Sequence, residues 1–329
     1  MDQNGEESQK PMTAGEEAPA PVIDEYNDVL SRPCLRTFAF LPNGEAERTR
    51  MRDVISLLRG PLAADVTVCS GTHLSPKKKR HRIRAKDLGA LDAILDPKAH
   101  WAGFNLFGDA SLDAPPFALP MFRVLRGLDG FTIDLAFRPD VDIDYVVETV
   151  WPVMRGIEPD YAYLGWGMLP HIARHEHDRR VSARFKARYR AAACLDAWKM
   201  ETIVLDEEAA AKQEERDGEP AEVGITDLGW KTVLGPRFLS RVNVEALKAT
   251  SALVRELPTG CVEITIGDRP VWGDTEMGHD PYGTTRRDVL ATLSSIMASK
   301  PMVLRWGGLD MTAPRDTQIV ETYFTEWLG

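Results

Sequence analysis

Three histidines within seven residues, His171, His175 and His177 in HIARHEHDRR, are the residues of this chain best suited by type to hold a metal. On a helix His171 and His175 share a face, but His177 lies about 200° around the axis from His175. All three converge only in a loop, which Pro170 permits locally. His does not recur three residues after Glu176, so HExxH is absent and a metal-dependent hydrolase is the weakest reading. Asp140, Asp142 and Asp144 alternate in PDVDIDY. A calcium loop would need glycine at Tyr145 and a bidentate Glu at Trp151, so the acids are read as first-turn charges offsetting a helix dipole. Two basic stretches suit phosphate instead. Pro76–Lys86 (PKKKRHRIRAK) has no interleaved aromatic residue and reads as a solvated loop. Arg180, Arg184 and Arg188 align at i, i+4, i+8 within the stretch 179–190. The stretches 77–86 and 179–190 make nucleic-acid binding the alternative function. No G-x-S-x-G elbow and no phosphate-binding loop occurs, and Gly165-Trp166-Gly167 meets Pro170 where a dinucleotide fingerprint needs glycine. The sequence shows no enzymatic constellation, and no metal or cofactor is expected.

The elements that must position these residues follow from periodicity. Strands are expected at Leu35–Leu41, Asp65–Cys69, Trp101–Phe107, Phe122–Leu125, Phe131–Phe137, Tyr161–Trp166 and Cys261–Ile266. In one of them Phe131, Ile133, Leu135 and Phe137 alternate onto one face. Helices are expected at Ala46–Leu58, Asp87–Leu95, after Pro139-Asp140, and at Arg179–Met200, Val244–Leu257 and Arg287–Ala298. Strands and helices mix without strict alternation, which gives an α+β fold of mixed, largely antiparallel sheets packed against helices, with room for two similar subdomains. The expected organisation is a disordered acidic tail over 1–30, an N-terminal subdomain over 31–170 and a C-terminal subdomain over 171–329.

Composition narrows the function. The chain has 329 residues, 43% hydrophobic and 27% charged, as in a globular protein with a sizeable core. Its net charge is −10, of which eight acids against Lys10 place −7 in residues 1–30 and leave −3 for the rest. A mildly acidic body argues against nonspecific nucleic-acid binding and suits a basic partner. No apolar run reaches the roughly 20 residues that span a bilayer. The N-terminus lacks the basic and apolar regions of a secretory signal, and Cys34, Cys69, Cys194 and Cys261 are scattered without CxxC. A cytoplasmic protein with buried thiols is expected.

The most informative residues lie in order along the second half of the chain. They are Tyr161–Gly167 (YAYLGWG), Leu228-Gly229-Trp230, Leu234-Gly235-Pro236, Val271-Trp272-Gly273-Asp274 and Tyr282. This order resembles the TsiV-like family of type VI secretion immunity proteins. The residues themselves read as scaffold: glycines for turns, Trp230 and Trp272 filling space between sheet and helices. The resemblance implies a protein that binds a cognate toxin and blocks its active site, with a nuclease acting in the cytoplasm as the natural candidate. It implies no enzyme activity, membrane or small-molecule substrate. Such inhibition needs nanomolar affinity, about −12 kcal/mol, from an aromatic or apolar anchor with complementary charge. Trp272, Asp274, Glu276, Asp280 and Tyr282, clustered in WGDTEMGHDPY, are the expected partner-binding residues.

Overall fold

The computed structural model describes residues 19–23, 29–71, 81–98, 102–108, 118–127, 130–170, 188–193, 224–225, 227–278 and 280–297. His171, His175, His177, residues 77–80 of the first basic stretch and 179–187 of the second lie outside them, as do most of the acidic tail and the C-terminal residues beyond 297.

The described strands form one antiparallel sheet. In chain order they are β1 (Val22–Ile23), β2 (Val29–Pro42), β3 (Val68–Gly71), β4 (His81–Arg82), β5 (Ala102–Phe107), β6 (Met121–Arg126), β7 (Gly130–Phe137), β8 (Tyr161–Pro170), β9 (Lys231–Leu234), β10 (Leu253–Glu256) and β11 (Val262–Thr265). Their spatial order is β10-β11-β9-β8-β2-β7-β6-β5-β3-β4, and β1 pairs with the start of β2. The expected α+β class is therefore realised, with strands from both sides of residue 170 hydrogen-bonded into the same sheet. Fourteen-residue β2 is its centre, pairing with β8 from Ser31 to Phe40 and with β7 from Leu35 to Pro42.

Alternation along the strands sorts side chains onto two faces. On the first face Leu35, Ala39 and Leu41 of β2 join Phe131, Ile133, Leu135 and Phe137 of β7, the stripe expected from sequence. Helix α1 (Glu45–Arg59) covers them with Met51, Val54, Ile55 and Leu58, at helical spacing. Glu45 and Glu47 in its first turn and Arg59 in its last suit the helix dipole, and Gly60 ends it. The short helix α2 (Ala85–Gly89) and a 3-10 turn to Leu95 pack beside α1. A helical run follows from α3 (Ile143–Tyr145) through a π turn (Val146–Val150) to α4 (Trp151–Gly156). Asp142 caps its start by accepting the Asp144 N–H, and Asp144 lies in the first turn, where its charge suits the helix dipole.

On the second face Phe38 and Phe40 of β2 join Tyr161 and Tyr163 of β8 and Val262 and Ile264 of β11. Helices α5 (Pro236–Leu239), α6 (Val244–Lys248) and α7 (Gly283–Thr292) cover them through Phe238, Leu247, Val289 and Leu290.

Three expectations are corrected. The helix Val244–Leu257 is two elements: α6 stops at Lys248, and β10 pairs with β11 as a hairpin. Thr250 explains the break, since its hydroxyl donates to Leu247 O while accepting the Ala252 N–H, offering the backbone a turn in place of a helix. Within Arg179–Met200, residues 189–193 are not helical; Ala193 bridges to Gly167 of β8 and Tyr189 to Asp274. Residues 81–86 of the basic run are not a solvated loop, since they form β4 and open α2.

Candidate functional site

The residues that carry the family-like pattern converge in space. Trp166 in the middle of β8 stacks on Trp272, with ring centroids 4.9 Å apart and planes 11° from parallel. Tyr189 meets Trp272 edge-on at 6.0 Å. The Trp166 indole donates to Pro270 O and the Trp230 indole to Gly267 O, tying β8 and the start of β9 to the loop after β11. Gly165 makes this approach possible, because a Cβ there would lie 2.9 Å from the Trp230 nitrogen.

Segment 188–193 stitches that loop to the sheet. Ala193 N–H donates to Trp166 O, while Arg190 and Ala191 N–H groups donate to Gly273 O and Trp272 O. Gly273 has φ +66°, and a Cβ on it would meet the Ala191 nitrogen at 2.9 Å. A backbone pinned this way holds its side chains in fixed positions, which is what a rigid binding surface requires.

The five expected partner-binding residues gather around this one loop, but they differ in exposure and in their partners. Trp272 is 1% exposed and sits inside, beneath the loop rather than on it. Both oxygens of Asp274 accept from the Arg188 guanidinium, Nη2 to Oδ2 being 2.9 Å. Oδ1 also accepts the Glu276 and Met277 N–H groups, closing an Asx turn. Arg188, first of all as a hydrogen-bond donor, holds the Asp274 carboxyl below the usual carboxylate range. Asp280 pairs with the mostly buried Arg286 at 2.8 Å. Tyr282 donates to Asp268, which lowers the Asp268 pKa and raises that of the phenol. Glu276 pairs with Arg188 at 2.8 Å yet its side chain is 66% exposed, and Met277 beside it is 67% exposed.

The acids of the loop are thus neutralised from within the chain, a feature sequence reasoning missed. Helical spacing places Arg188 in a stripe with Arg180 and Arg184, whereas Arg188 and Arg190 turn toward this loop. Beside it lies a cavity of about 280 Å³ lined by Arg190, Arg286, Arg287, Thr275 and Thr284, with Asp280 in its wall. Burial lowers the Arg190 pKa, Asp280 opposes that, and nearby Arg287 adds to it. Chemically the surface pairs a methionine-and-glutamate tip with an arginine-lined hollow. The tip suits an apolar recess with a cation at its edge, and the hollow suits a carboxylate or phosphate.

No family model matches the chain, and no curated protein does. Among solved structures, the fold is similar to the Pseudomonas aeruginosa T6SS protein PA0821, at TM-score 0.65 and 14% identity over 92% of this chain and 86% of that one. A chain from the complex of the toxic C-terminal tip of CdiA from Pseudomonas aeruginosa with its immune protein aligns at TM-score 0.23 and 14% identity, over 41% of this chain and 86% of that chain, too distant to bear on the fold. At this identity the likeness shows a shared fold.

Proposed function

We propose that this chain is an immunity protein that binds and neutralises a cognate type VI secretion toxin acting in the cytoplasm, with a nuclease as the candidate toxin. It works as a stoichiometric plug and not as an enzyme. The observation that carries the reading is the convergence of the TsiV-like pattern: Trp166, Trp230, Trp272, Gly273, Asp274 and Tyr282, spread over 117 residues of sequence, meet around one loop. The fold likeness to PA0821 over 92% of the chain supports the same reading.

In this reading the five partner-binding residues divide their labour. Glu276, with Met277, touches the toxin. Asp274, Asp280 and Tyr282 lock the loop, and Trp272 anchors it to the sheet. A tip whose shape is set before encounter loses little entropy on binding, which is how a small contact reaches tight affinity.

Co-expression with the toxin domain encoded beside the gene tests the function: growth is rescued if the reading is right, and failure of rescue with folded, abundant protein rejects it. The location is tested with Glu276→Lys combined with Met277→Asp. Titration calorimetry against that toxin should show binding weakened about 30-fold or more, ~2 kcal/mol. Unchanged affinity of the folded double variant would move the interface elsewhere.

A further inference from the structure

At the far edge of the sheet from the tryptophan loop, three side chains of metal-binding type meet. Cys69 on β3 and His81 on β4 are directly paired across the strands. Asp87 stands in the first turn of α2, immediately after β4. The Cys69 sulfur lies 3.2 Å from His81 Nε2, and that same nitrogen lies 3.2 Å from Asp87 Oδ1. All three candidate ligand atoms fall within 4.8 Å of one another. Cys69 and Asp87 are buried while the His81 side chain is 22% exposed, which leaves an entry path from solvent.

Hydrogen bonding alone serves this cluster poorly. A single imidazole nitrogen either carries a proton or accepts one. If His81 Nε2 accepts from the Cys69 thiol, it faces the Asp87 carboxylate with a lone pair; if it donates to the carboxylate, it has one proton for two acceptors. The same geometry disfavours a nucleophilic triad, which needs thiol and carboxylate on opposite ring nitrogens. A cation placed among the three atoms satisfies all of them. Tetrahedral zinc with one sulfur, one nitrogen and one oxygen ligand separates those ligands by about 3.3–3.6 Å, close to the two separations from the His81 nitrogen.

The surroundings fit a ligand shell. Asp87 Oδ2 accepts from the Arg84 backbone N–H and guanidinium, and Oδ1 accepts from Arg84 Nη2, so the carboxylate is aimed before any ion arrives. The Arg84 side chain itself is more than half exposed.

We propose that Cys69, His81 and Asp87 bind one zinc ion, with a water or a further residue in the fourth position. Thiolate, imidazole and carboxylate together favour zinc over magnesium or calcium, which prefer oxygen alone. Binding takes the Cys69 sulfur as thiolate and releases its proton to solvent. The ion would pin β4 and α2 to β3 and so close one end of the sheet. This site stands apart from the proposed toxin contact, so either can fail alone.

The test uses full-length protein purified without a histidine tag, dialysed against zinc and assayed for bound metal by mass spectrometry. About one equivalent per chain is expected for the wild type, and a loss of most of it in His81→Ala and in Cys69→Ser. Cobalt substitution gives an independent readout, since a thiolate ligand produces a charge-transfer band that Cys69→Ser abolishes. No zinc in the wild type would overturn the proposal. So would zinc undiminished in both variants, which would place the metal among other histidines such as His171, His175 and His177. Should a variant misfold, the wild-type cobalt spectrum decides: absence of the thiolate band rejects Cys69 as a ligand.

Discussion

Arg36 and Asp134 form a two-point ion pair inside the sheet, with Nε to Oδ1 at 2.7 Å and Nη2 to Oδ2 at 2.9 Å, both side chains essentially without solvent contact. They join β2 to β7 on the face opposite the α1 helix, and Arg36 Nη1 also donates to Met168 O of β8. Burial opposes the charge on Arg36, but Asp134, with Tyr163 and Cys34, more than offsets it and the guanidinium pKa is raised. One charged pair therefore links the three central strands.

Removing half of that pair leaves a buried charge without compensation. Asp134→Ala should destabilise the protein by about 3–5 kcal/mol, whereas Arg36→Met with Asp134→Leu should recover most of the loss. Denaturant unfolding of the two variants checks this; equal losses would show that the pair itself is net stabilising.

The stacked indoles give a second expectation. Trp272→Ala removes a fully buried ring from between Trp166 and Tyr189 and should cost about 3–5 kcal/mol. Near-ultraviolet circular dichroism should lose the signal of the coupled tryptophans. On the proposed function, toxin affinity should fall as well, although Trp272 does not reach the surface, because the loop above it loses its floor.

Gly273 is a sharper probe, since it alters conformation with almost no change in chemistry. At φ +66° an alanine is strained, and its methyl group would press on the Ala191 nitrogen. Gly273→Ala should cost about 1–3 kcal/mol and weaken binding, while the sheet itself stays intact by amide exchange.

The acid response of the loop follows from Asp274. Its pKa is lowered in the folded state, mainly by Arg188. A depressed carboxylate contributes stability above its unfolded value, about 3.9, and that contribution is lost as pH falls through the folded value. The loop lock should thus hold at neutral pH and release only in strong acid. Carboxyl titration by NMR should show Asp274 titrating below exposed aspartates, and returning toward them in Arg188→Gln.

The sheet was largely readable in sequence because its strands alternate cleanly: Phe131, Ile133, Leu135 and Phe137 face one core, as expected. Trp230 and Trp272 were likewise readable as space-fillers, and both are buried. Elements that depend on side chain to backbone bonds were not readable. Thr250 cut a helix that apolar spacing alone would have continued to Leu257. The partners of the loop acids were hidden because Arg188 is 86 residues from Asp274, and a helical pattern assigned it to a solvent face. Cys69, His81 and Asp87 escaped notice for a related reason: their spacing matches no short metal motif, and only the β3–β4 register brings sulfur to imidazole.

The length of β2 bears on how the protein is made. Its partners on β8 come 121 to 139 residues later in the chain. During synthesis one rim of that strand must wait, unpaired, until more than half the polypeptide has left the ribosome. Contacts so distant in sequence make closure slow and leave the nascent chain open to aggregation or proteolysis. On the proposed function, protection would draw on copies already finished before a toxin arrives.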